Sequence, residues 1–167
     1  MGSQISTCKE GVTVLKKNSP ALVARDLLDK HWILLPPVPV EDLADQLGCK
    51  IRLLDAATEK NWSGALVLQP TPYIFLRESD NRVHRRFTIA HELGHLVLNH
   101  STPEGVFRER TYKENPQEIE ANAFAAELLM PTWMLMHQIR RVGLHIEDLA
   151  VLFDVSLQAM KYRIQYL

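Results

Sequence analysis

Residues 85–100 read RRFTIAHELGHLVLNH, a stretch apolar around most of a helical wheel that nevertheless carries two imidazoles and a carboxylate. Phe87, Ile89, Ala90, Leu93, Leu96 and Val97 leave little of its surface for water, so the segment predicts a buried helix. Polar groups taken into such a place need partners. The fold must therefore wrap other elements around this helix and bring complementary groups to it.

His91 and His95 stand one turn apart on one face and can both reach a single ion. Zinc accepts neutral imidazole nitrogens at about 2.0–2.1 Å. Glu92 lies about 100° around the wheel from His91, beside the pair rather than in line with it. That position suits a general base that takes a proton from water. A third histidine in the extended His-Glu-x-x-His-x-x-Gly-x-x-His pattern needs glycine at 98 and histidine at 101; Leu98 and Ser101 exclude that class. His100, five residues past His95, reads as a solvated histidine at the helix end.

The remaining ligand is sought in QEIEANAFAAELLMP, where Pro116 and Pro131 bound a helix over 116–129. It offers Glu118, Glu120 and Glu127. From Glu118, helical steps lead to Asn122, Ala125 and Ala126, a stripe small enough to admit another helix. Glu120 points about 200° away, and Glu127 shares its face, which reads as solvated. The facing argument favours Glu118 over Glu120 and leaves both open. Asn122, one turn on, is placed to accept a hydrogen bond from the outer nitrogen of a ligating histidine. His91, His95 and Glu118 with one open position describe a catalytic site, not a structural one. The ligand types suit zinc and also permit manganese.

Elsewhere the pattern is simpler. Ser19-Pro20 opens a helix that ends before Pro36-Pro37, and VPVEDLADQLG reads as a short helix stopped at Gly48. CKIRLLD, GALVLQ and YIFLR read as strands, the last two forming a hairpin across PTP. The expected class is α+β: a small antiparallel or mixed sheet of about three strands packed on helices. Residues 1–18 read as a loose N-terminus, 19–136 as the core, and 137–167 as a helix-turn-helix-like segment. Residues 101–116 read as a surface loop. Tyr73 and Tyr112 are candidate oxyanion donors, although packing is the plainer account of each, and the basic HRR at 84–86 reads as a solvated helix face.

Composition narrows the function classes. Lys and Arg number 19 against 20 Asp and Glu, which supplies no electrostatic case for a nucleic acid or a membrane. The C-terminal segment sets Arg140, Arg141, Lys161 and Arg163 against Glu147, Asp148 and Asp154, and this balance argues against direct DNA binding. Packing on the core, or docking of a partner protein, is the better reading. Cys8 and Cys49 form no disulfide framework, and no signal-peptide core or membrane-spanning run is legible, so a cytoplasmic location is expected. MGSQIS fits the short myristoylation pattern, read here as fortuitous.

RRFTIAHELGHLVLNH, EIEANAFAAELLMP and LAVLFDVSLQAM together resemble the ImmA/IrrE family of metallopeptidases, over roughly residues 20–167. The resemblance implies a thermolysin-like zincin core with His91 and His95 as ligands, Glu92 as base and a glutamate of the second motif. It also implies a protein substrate, a helix-turn-helix repressor of the XRE type, whose cleavage relieves repression of mobile-element or stress genes. The competing class is a non-proteolytic regulator that binds a repressor, or DNA, through its C-terminal helices. The oligomeric state is left open.

Overall fold

Two helices that touch almost backbone to backbone organise the molecule. The computed structural model describes residues 19–55, 64–68, 70–100, 106–108, 115–143 and 145–167. The N-terminal segment with Cys8 and MGSQIS, and Tyr112, lie outside them. Helix α3 spans Arg82–Val97 and α4 spans Pro116–Leu129. At their crossing a Cβ on Gly94 would stand 3.1 Å from Ala121 Cα, so the side chain's absence is what lets the helices meet. Gly94 thus faces Ala121 and Phe124, and of the expected stripe of Asn122, Ala125 and Ala126 only Ala125 is fully buried.

Helices α3 and α4 both start where the sequence supplies a cap. Asn81 Oδ1 accepts from His84 N at 2.9 Å, and Asn115 Oδ1 accepts from Gln117 N at 3.0 Å, ahead of Pro116. Ser19 caps α1, Pro20–Lys30, and Gly48, at φ +79°, ends the chain's turn out of α2, Val40–Gln46.

The sheet comprises β1, Lys50–Leu54; β2, Gly64–Val67; β3, Tyr73–Arg77; and β4, Val106–Arg108, in the order β1-β3-β2-β4. The expected hairpin is present: β2 and β3 run antiparallel, with Ala65 opposite Phe75. β1 joins β3 in parallel, making the sheet mixed. One strand exceeds the expected count, because β4 lies in the stretch read as a surface loop. Three residues are too few to show an alternation, and only pairing with β2 makes them a strand. Ile74 and Leu76 face the helices, joining Ile89, Leu93, Phe124 and Leu128 in the core.

Helices α5, Thr132–Val142; α6, Ile146–Phe153; and α7, Leu157–Gln165, complete the chain. Leu149, Phe153 and Met160 extend the same core into this segment, and Met130 and Met134 are buried packing residues. Two polar clusters tie it down. Arg86, expected in solvent, is 3% exposed; it donates to Val38 O at 2.8 Å and pairs with Asp154 at 3.0 Å. Glu127, also expected in solvent, is buried between Arg25 (2.7 Å), Arg163 and Thr132 (2.9 Å). Wheel position on α4 alone could not reveal this, since Glu127's arginine partners come from the first and last helices. No helix among the described residues is long and apolar enough to cross a membrane.

Candidate metal centre

Helix α3 carries His91 and His95 inward, 3% and 1% exposed, with their Nε2 atoms 3.1 Å apart. Glu118 reaches them from the first turn of α4, where the helix dipole favours an anion. Its Oε2 stands 3.1 Å from His91 Nε2 and its Oε1 3.5 Å from His95 Nε2. Bonds of about 2.0–2.1 Å at tetrahedral angles separate ligand atoms by roughly 3.3 Å. The spacing and the donor set of two imidazoles and one carboxylate therefore fit a divalent ion.

The outer nitrogens are engaged as well. His91 Nδ1 donates to Asn122 Oδ1 at 3.0 Å, the contact expected one turn beyond Glu118. His95 Nδ1 lies 3.0 Å from His100 Nδ1, and His100 Nε2 lies 2.9 Å from Glu120 Oε2. His100 is thus buried, not a solvated helix-end residue, and Glu120 is occupied outside the convergence of the three candidate ligands. Extrapolating the helix by five residues misplaced His100, because α3 stops at Val97. Asn99 takes the left-handed conformation at φ +53°, and His100 N returns to His95 O at 3.0 Å. The asparagine was the legible signal for that turn.

Electrostatics follow from this packing. Burial alone would raise the Glu118 carboxyl, but the His91 and His95 bonds outweigh it and draw the group down to about 2. A cation seated between the same rings would stabilise the carboxylate likewise. Burial holds the His95 ring below its ordinary value against the opposing pull of Glu118, which keeps a nitrogen lone pair available. Glu92, one residue past His91, is 1% exposed and is not one of the three converging groups. Tyr73 stacks on Phe75 with centroids 6.1 Å apart, in keeping with its packing role.

Comparison with known proteins adds family to geometry. The profile of Peptidase_M78, the IrrE N-terminal-like domain, matches residues 44–165. The uncharacterized immunity region protein 2 of Bacillus phage phi105 is 36% identical over 87 residues, which is 52% of this chain and 54% of that protein. A Mycobacterium tuberculosis transcriptional regulator shares the fold at a TM-score of 0.63 and 16% identity, over 86% of this chain and 45% of that one. These matches span only about half the length of either protein. The profile match runs through α3 and α4 and covers most of the chain, and on that ground the chain belongs to the ImmA/IrrE family, the metallopeptidases with an IrrE N-terminal-like domain.

Proposed function

We propose that this chain is a zinc-dependent endopeptidase that cuts a regulatory protein, a helix-turn-helix repressor being the leading substrate. The observation that carries the reading is the meeting of His91 Nε2, His95 Nε2 and the Glu118 carboxylate at 3.1–3.5 Å between helices α3 and α4. These three side chains would hold the ion, with manganese as the alternative metal. When bound, it supplies Lewis acidity toward a peptide carbonyl and toward water. Glu92 accepts a proton from the attacking water and returns one to the departing amine nitrogen. Asn122 keeps the His91 ring turned so that Nε2 faces inward.

The similarity to a phage immunity-region protein supports a repressor as the partner, and a cytoplasmic setting accords with it. In this reading residues 19–136 form the peptidase core. Residues 137–167 form a helix-turn-helix-like segment that serves protein contacts rather than DNA, given its near balance of charge.

The test pairs metal analysis with incubation against the repressor encoded beside this chain's gene. Glu92→Gln should retain the metal content of the parent while cleavage falls by roughly a hundred- to ten-thousand-fold. Undiminished cleavage by that variant refutes the assigned base. Derepression by the parent with the repressor left intact favours the non-proteolytic regulator.

A further inference from the structure

Outside the three candidate ligands, α3 and α4 share a second run of polar contacts: His95 to His100 at 3.0 Å and His100 to Glu120 at 2.9 Å. We infer that His100 and Glu120 are positioning residues that fix the tautomer of His95 and hold its inward nitrogen ready for a divalent cation. The inference rests on the metal site proposed above and extends it to residues outside the ligand set.

The assignment follows from donor and acceptor capacity. A carboxylate accepts only, so the His100 nitrogen facing Glu120 carries a proton and donates it. A neutral imidazole has one donor and one acceptor, which leaves His100 Nδ1 bare to accept from His95 Nδ1. With a cation bound in place of the Nε2 protons that otherwise face Glu118, His95 Nε2 is bare in turn, and this is the atom that lies 3.5 Å from Glu118 and 3.1 Å from His91 Nε2. The reverse polarity would place a proton on His95 Nε2 and block it as a ligand. His91 reaches the same state in one step through Asn122. The two rings are therefore set alike by independent partners, a single amide for one and a histidine–carboxylate pair for the other. The left-handed turn at Asn99 is what returns His100 to this position.

A purely structural pair would tie the end of α3 to α4 without affecting the cation. Zinc affinity, measured on the full chain by competition with a chromophoric chelator, separates the two roles when read beside the melting temperature of the zinc-free protein. His100→Phe keeps a ring but offers His95 no acceptor, and affinity should fall ten- to a hundredfold. His100→Asn places an amide oxygen near the lost Nδ1, and affinity should return to within a few-fold of the parent. Glu120→Ala, at a half-exposed position that folding tolerates, should weaken zinc binding in the parent but not in the His100→Asn background. Equal affinity for parent, His100→Phe and Glu120→Ala overturns the relay alone. A parent that takes up no zinc overturns the metal site itself.

Discussion

Helix α4 carries a glutamate near each end, Glu127 buried and Glu118 half-buried, and the two are satisfied in different ways. Glu127 meets permanent cations: Arg25 and Arg163 flank it, and Thr132 donates from both its amide and its hydroxyl. Glu118 meets two imidazoles whose other nitrogens are already engaged. Both carboxyls are held below their ordinary values, each against the opposing effect of burial. The first arrangement is complete within the chain and locks α1, α4, α5 and α7 together. The second presents converging donor atoms with a spacing suited to a cation. Burial of a charged residue therefore does not by itself mark a site; the chemistry of its partners does.

The sharpest way to break this contrast is to remove each carboxylate in turn. Glu127→Ala leaves the half-buried Arg163 and the more exposed Arg25 without their buried carboxylate and should cost about 3 kcal/mol in urea denaturation, toward the low end for such pairs because Arg25 is 40% exposed. Its zinc affinity should stay near that of the parent. Glu118→Ala should cost less than about 1 kcal/mol in the zinc-free protein, yet weaken zinc binding beyond the roughly hundredfold that loss of a supporting residue brings. Similar profiles for the two variants would erase the distinction.

Acid sharpens the same comparison. A carboxyl with a depressed folded pKa contributes stability above its unfolded value, and that contribution is lost as pH falls through the folded value. For Glu127 the loss should begin near pH 4.5 and deepen below it. The Glu118 contribution should likewise start to fall near pH 4.5 and be fully lost only below about pH 2. Thermal melts between pH 6 and 2.5 should show a shallower acid decline for Glu127→Gln than for the parent. An unchanged slope would mean that Glu127 is not the coupled group.

The smallest expected effect is at the helix crossing. Gly94→Ala forces a methyl to 3.1 Å from the Ala121 backbone, and the overpacking is partly offset by alanine's better helix propensity. A net loss of about 1 kcal/mol is expected, with weakened zinc binding as Glu118 is pushed away from α3. A more stable variant with unaltered affinity would show that the crossing has slack.

How far the sequence could be read follows the range of the contacts. The i, i+4 pair His91 and His95, the capped ends of α3 and α4, the β2–β3 hairpin and the Glu118–Asn122 step all depend on neighbours within a turn or a short link. Periodicity and capping residues record such relations directly. The burial of Arg86 and Glu127, the return of His100 and the pairing of β4 depend on segments far along the chain, with Arg25 and Glu127 separated by 102 positions. No local pattern carries that information.

By itself the sequence determined an α+β chain of the ImmA/IrrE family with two imidazoles on one buried helical face and a carboxylate beside them, because helix geometry converts spacing into direction. Only the tertiary structure decided which glutamate meets the imidazoles, which one is neutralised by arginine, and what stands behind each ring. The physical reason is that a helical wheel fixes where a side chain points but not what it meets, and for a buried charge the partner determines the outcome.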